Sequence, residues 1–218
     1  MKMKMKMKMK IKIEAIHDVV CSWCPIGRSN IKAALKILDK QIEAEIEYLP
    51  FELNPDMLAE GETIETHLML RNNWSKEQFL RYREKVTETA KNAGLVYDFG
   101  KRTYYYNTAK AHRLIHFAQS FQKQEAVVDA LTARYFMQGV NVSEDVNLLD
   151  IAVSVDLDRR QAEQALLSEK VSEDVQRKYD RAKNFTVRGV PAFIINGTEF
   201  IQGSNSVEFF VQNFERFV

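Results

Sequence analysis

The sequence predicts an α/β fold in which an N-terminal βαβ half and a C-terminal ββα half are separated by an inserted helical domain. Three observations carry that reading. Alternating apolar residues near 11–16 and 42–48 flank an amphipathic helical run, the stretch from about Thr66 to about Leu167 favours helices, and Asn196-Gly197 joins two short apolar runs. Alternation is the period of a strand, apolar spacing of three and four that of a helix, and Asn-Gly the strongest short hairpin signal.

Taken in order, Ile11, Ile13 and Ala15 alternate with Lys12 and Glu14 and read as a first strand. His17-Asp18-Val19-Val20 carries it to Cys21-Ser22-Trp23-Cys24-Pro25-Ile26-Gly27. Pro25 fits the first turn of a helix, where its missing N–H has no partner to lose. Ile26, Ile31, Ala34, Leu35 and Leu38 continue at helical spacing to an end near Asp39. Ile42, Ala44, Ile46 and Tyr48 alternate with Glu43, Glu45 and Glu47 as a second strand, which Pro50 and Asn54-Pro55 stop. Strand, helix bearing C-x-x-C and strand make the first half of a thioredoxin-like unit.

The middle of the chain is too long for a loop and is read as four or five helices, broken at Asn92-Ala93-Gly94, Phe99-Gly100, Gly139 and around Ser143. Ser75 with Gln78 and Asp158 with Gln161 have capping-box spacing, which marks helix starts. A helix from Ser172 to Asn184 and a break at Val187-Arg188-Gly189-Val190-Pro191 follow. Strands at Ala192–Ile195 and Glu199–Ile201 then lead to a last helix, capped by Asn205 with Glu208 and running to Phe217. The thioredoxin-like domain is thus 11–60 with 172–218, and the helical insertion is 61–171.

Composition bounds the function. The chain has 218 residues, 45% hydrophobic and 28% charged, with a net charge of +1, so it is an ordinary globular protein with no charge reason to bind nucleic acid. No apolar run is long enough to span a membrane. Residues 1–10 alternate Met and Lys, unlike an export signal, and read as a frayed extension or a continuation of the first strand. Without an export signal the expected compartment is the cytosol, where most thiols are kept reduced.

The chain has two cysteines, and both lie in the one C-x-x-C. A strand that delivers Cys21 to a helix start places its sulfur near free N–H groups and the positive end of the helix dipole. Such sites typically lower a cysteine pKa from about 8.5 to about 3.5–7.5. Cys21 is then the attacking thiolate and Cys24 the resolving thiol. The competing readings are two inert thiols or part of a zinc site, but a structural zinc needs four ligands and no second cysteine pair exists.

Three motifs together resemble a known family. Asp18-Val19-Val20-Cys21-Ser22-Trp23-Cys24-Pro25-Ile26-Gly27, then Asn107-Thr108 with Ala111-His112-Arg113, then Gly189-Val190-Pro191-Ala192-Phe193 is similar to the DsbA family, and within it to the FrnE-like branch. The similarity runs from about Ile11 to Phe217. It implies a thioredoxin fold with a helical insertion, thiol–disulfide exchange, and a cis bond at Val190-Pro191. It also makes Gly189, Val190 and Pro191 substrate-side residues and places Asn107 and His112 in the cleft facing C-x-x-C. Ser22 and Pro25 depart from the branch, which often has proline after the first cysteine and an aromatic after the second. No cation stands between the cysteines, which points to a milder thiolate stabilisation than in strongly oxidising DsbA proteins.

Several residues carry two readings. His112 is a cleft residue or a packing histidine, and its i, i+4 spacing to His116 lacks the companions of a metal motif, so no metal is expected. His17 and Asp18 tune the cysteines or, more simply, cap and solvate the strand end. Trp23 packs on a substrate or covers the sulfur; Tyr104-Tyr105-Tyr106 binds a partner or packs in the core; Lys101 and Arg102 read as a solvated edge. The function expected is a cytosolic thiol–disulfide oxidoreductase acting on protein thiols or glutathione, the latter a co-substrate rather than a cofactor. The alternatives are a glutathione-dependent isomerase or transferase related to the kappa class, whose members have serine where Cys21 stands, and a redox-switched chaperone-like binder. A homodimer is compatible with the sequence, and no pattern establishes one.

Overall fold

A computed structural model of the protein describes residues 8–218. The chain runs β1 (Met9–His17), α1 (Trp23–Ile37), β2 (Ile42–Pro50), β3 (Glu62–Thr63), α2 (Ile64–Asn72), α3 (Lys76–Asn92), β4 (Tyr104–Tyr105) and α4 (Ala109–Gln119). It continues through α5 (Gln124–Gln138), α6 (Asp145–Ser154), α7 (Arg159–Leu167), α8 (Glu169–Lys183), β5 (Ala192–Ile195), β6 (Glu199–Gln202) and α9 (Val207–Glu215). Four strands form one sheet in the order β2-β1-β5-β6, and β3 pairs with β4 as a separate two-stranded ribbon.

β1 is parallel to β2 from Met9↔Ile42 to His17↔Pro50 and antiparallel to β5 from Ile13↔Ile195 to Ile16↔Ala192. As an inner strand it is covered on both faces, so every residue from Ile13 to His17 is buried, beyond the half-buried alternation its sequence suggests. α1 and α9 cover one face of the sheet, bringing Ile31, Ala34, Phe193, Phe210 and Phe214 into the main core. α8 packs on β2, and Ala182 joins Ile16, Leu49, Ala192 and Ile194 in a second, smaller core. Asn196 and Gly197 both have positive φ (50° and 79°), the backbone of a tight hairpin between β5 and β6.

The repeat expected to fray or extend the first strand lies mainly outside the described residues; Met9 and Lys10 belong to β1. The middle of the chain holds six helices, α2 to α7, where four or five were expected. Some of its breaks occur at Asn73, Gln122 and Asp156, left-handed residues (φ 52°, 58° and 56°) that do not advertise a stop as glycine does. Ser75 and Gln78 form a full capping box on α3, and Asp158 accepts from the Gln161 N–H at α7. The last helix is capped by Ser206, not Asn205. Asn205 instead donates to the carbonyls of Gln202 and Gly203, closing the turn before the helix.

α5 ends in a double turn: the N–H groups of Gly139 and Val140 donate to the carbonyls of Tyr135 and Arg134. Gly139 has φ +70°, and a Cβ there would lie 2.1 Å from the Lys101 carbonyl oxygen. Both the conformation and the backbone contact demand glycine. Gly139→Ala is expected to lower unfolding free energy by more than about 1 kcal/mol, measured by urea denaturation against a Gly94→Ala control. Gly94 shares the positive φ but has open space around it.

Candidate active site

The end of β1 passes through a turn into α1. The Cys21 N–H donates to the Asp18 carbonyl and the Cys24 N–H to the Cys21 carbonyl, so Ser22 stands at the cap of a helix whose first turn holds Trp23, Cys24 and Pro25. Both cysteines are free thiols, each 5% exposed. They face different surroundings. Cys21 borders an open groove of about 200 Å³ lined also by Trp23, Leu53, Tyr82, Tyr105, Gly189 and Val190. Cys24 borders a much smaller cavity of about 20 Å³ lined by His17, Asp18, Arg28, Tyr48 and Pro191 among others, room for about one water.

The Val190–Pro191 peptide bond is cis. The Cys21 thiol donates to the Val190 carbonyl at 3.4 Å, joining residues far apart in sequence. α1 meets this loop at Gly27: a Cβ there would lie 2.9 Å from Pro191 Cγ and 3.2 Å from Ser204 Cα. Gly189 has nothing within 4 Å of its own would-be Cβ, so the loop turns an unobstructed backbone outward beside the sulfur.

Burial raises the Cys24 thiol well above its ordinary range, and its hydrogen bond with Cys21 and the Cys21 charge push the same way. His17 and Asp18 do not solvate the strand end; they are 6% and 1% exposed because α4 closes over them. Desolvation lowers the His17 pKa well below the usual value, aided by the charges of His112 and Arg28, so the ring stays neutral. Its Nε2 has no protein partner. Asp18 Oδ2 accepts from the Leu53 N–H at 2.7 Å, and Oδ1 lies 3.6 Å from His112 Nε2.

The motif residues of the middle segment are absent from the lining of the Cys21 groove and stand behind it. His112 is 3% exposed; its ring lies 5.5 Å from that of His17, and its Nε2 donates to the Phe51 carbonyl at 3.1 Å, holding the groove wall from behind. Asn107 donates to the carbonyls of Pro55 and Met57, tethering that loop. His116 lies 3.7 Å from Asp174, so it and His112 do not converge on one point. Arg102 is not a solvated edge: at 2% exposure it sits among Phe99, Tyr105, Tyr135 and Phe136, because the aromatic run packs inward and takes the guanidinium with it. Of the three tyrosines only Tyr105 is buried, while Tyr104 is 39% exposed. The groove residues Leu53, Tyr82 and Arg71 carried no sequence signal, since they reach Cys21 only through folding.

A thioredoxin-type sheet with a free C-x-x-C pair opposite a cis-proline loop, and helices inserted between its halves, defines a DsbA-like thioredoxin-fold protein. The DSBA-like thioredoxin domain matches residues 12–215, and the chain belongs to that family. It is similar to a probable DsbA oxidoreductase from Streptomyces coelicolor, at 25% identity and a TM-score of 0.87 over 95% of this chain and 89% of that one. The uncharacterized protein YwbO of Bacillus subtilis is 26% identical over 186 residues, covering 83% of this chain and 84% of that protein. The cytosolic disulfide reductase DsbM from Pseudomonas aeruginosa, solved with GSH, shares the fold at 13% identity and a TM-score of 0.63, over 94% and 95% of the two chains. Among the described residues no helix is long and apolar enough to cross a membrane.

Two outcomes follow from this geometry. Gly27→Ala should cost about 1–3 kcal/mol in denaturant unfolding, because backbone and proline ring cannot both yield. His17 binds fewer protons folded than unfolded, so its contribution is present above the unfolded pKa of about 6.5 and is lost as pH falls below it. Denaturation from pH 8 to pH 5 should show stability falling on the acid side, with a shallower fall in His17→Gln.

Proposed function

We propose that the protein is a cytosolic thiol–disulfide oxidoreductase that exchanges disulfides with protein thiols or glutathione, Cys21 acting as nucleophile and Cys24 as resolving thiol. The observation that supports this best is the division of surroundings: Cys21 borders a groove of about 200 Å³ and Cys24 a cavity of about 20 Å³. A substrate disulfide fits in the space beside the first sulfur and not in the water-sized cavity beside the second, whose thiol is kept protonated by burial.

In the reductive direction the Cys21 thiolate attacks one sulfur of the substrate disulfide, which forms a mixed disulfide and releases the other sulfur as a thiolate. Cys24 then loses its proton and attacks Cys21 Sγ, releasing the second substrate sulfur and leaving a Cys21–Cys24 disulfide. Asp18 and His17 border the cavity with Cys24 and are in place to take that proton through one water. Oxidation of substrate is the same path reversed, and the pair's potential sets the direction. An extended substrate would lie along Gly189 and Val190, with Trp23 as a side wall. Asn107 and His112 act behind that surface by fixing the 51–57 wall. The likeness to a cytosolic reductase solved with GSH supports the compartment and glutathione as a partner.

Cys21→Ser should abolish reduction of insulin coupled to glutathione, whereas Cys24→Ser should accumulate the mixed disulfide, detected by intact mass. Wild-type rates in Cys21→Ser would exclude the assigned nucleophile. The potential against glutathione separates the roles: near about −270 mV the protein is a reductant, near about −120 mV an oxidant.

A further inference from the structure

The carbonyls on either side of Cys21 are both held by the middle of the chain. Arg102 Nη2 donates to the Val20 carbonyl at 2.8 Å, and the Tyr97 hydroxyl donates to the Ser22 carbonyl at 2.8 Å. The donors belong to one aromatic cluster: Tyr97 stacks on Phe136 at 4.4 Å, and the Arg102 guanidinium carbon lies 4.5 Å from the same ring and 4.8 Å from Tyr135. Arg102 is fully buried, its Nε lacks a partner, and the groups acting on its charge are chiefly tyrosines rather than carboxylates.

A buried guanidinium without a carboxylate is costly, and aromatic faces return only part of that cost. One carbonyl dipole returns a little more. The turn that Arg102 holds contains the group that becomes negative during exchange, the sulfur of reduced Cys21. In the disulfide that negative charge is gone.

We propose that Arg102 and Tyr97 are positioning residues for Cys21, clamping the reactive turn by its flanking carbonyls, and that the buried Arg102 charge favours the reduced pair over the disulfide. The inference rests on the exchange reading above. The equilibrium it biases is disulfide plus two glutathione thiols going to the Cys21 thiolate, the Cys24 thiol and glutathione disulfide, with one proton passing to solvent. Two electrons pass to the protein sulfurs; of the two glutathione protons one stays on Cys24 and the other is released.

The test equilibrates wild type, Arg102→Met, Arg102→Lys and Tyr97→Phe with glutathione buffers and measures the oxidised fraction. Arg102→Met should move the constant about tenfold toward the disulfide, about 30 mV for a two-electron couple. Arg102→Lys, which keeps the charge and loses the fork, should fall between, and Tyr97→Phe should shift it about threefold. A purely structural role would lower the melting temperature of both redox forms alike and leave the constant at its wild-type value, which overturns the proposal. Should Arg102→Met fail to fold, wild-type constants in both Arg102→Lys and Tyr97→Phe overturn it. A second readout needs no disulfide: with Cys24→Ser in place, alkylation of Cys21 by iodoacetamide at fixed pH should slow about tenfold on adding Arg102→Met. Equal rates overturn the clamp, whereas a wild-type pair inert to glutathione would sink the exchange reading alone.

Discussion

The hydrogen-bond register between β1 and β5 is the constraint on which the site depends. Ile16 pairs with Ala192, so the residues that follow in β1 and those that precede β5 leave the sheet at the same edge. That places His17 and the cysteine turn opposite Pro191 and lets the Cys21 thiol meet the Val190 carbonyl. A slip of one residue would turn the inner strand's side chains to opposite faces and part the two loops. The register is pinned from both sides, by nine parallel partners along β2 and by a short β5 locked to β6 through the Asn196-Gly197 hairpin.

Burying the end of β1 brings polar groups inside with it, and several are tied to backbone. Asp18 takes the Leu53 N–H, His112 gives to the Phe51 carbonyl, and the His17 carbonyl takes the Phe51 N–H. Three contacts therefore fix residues 51–53, the wall of the groove, from a layer that no substrate touches. The same layer leaves His17 Nε2 without a protein partner beside a water-sized cavity and Cys24. Buried polar groups of this kind cost stability unless satisfied.

Much of this was legible in the sequence. The sheet strands, the helix behind C-x-x-C and the hairpin all rest on local periodicity and turn chemistry, which a single chain displays directly. What was hidden depends on tertiary burial. Arg102 looks like a surface charge beside three tyrosines, and nothing local says that a ring cluster will enclose it. His17 and Asp18 look like a solvated strand end, and only the docking of α4 makes them interior. Asn107 and His112, which the resemblance sets in the cleft, make their side-chain hydrogen bonds to carbonyls of residues 51–57, and that pairing depends on tertiary contacts no local pattern displays. Helix breaks at Asn73, Gln122 and Asp156 escaped notice for lack of glycine.

α8 lies immediately before the cis-proline loop and is fastened to the sheet by charge. Arg181 gives two hydrogen bonds to Glu14, at 3.1 and 2.8 Å, and Lys178 and Lys12 lie 2.8 and 2.6 Å from Glu47. The residues from Asn184 to Val190 therefore hang like a footbridge, with one pier in α8 and the other in the β5 ladder, and with Gly189 as its open span. Both piers belong to the sheet and its covering helix, so the height of the span above Cys21 is set by elements outside the loop itself.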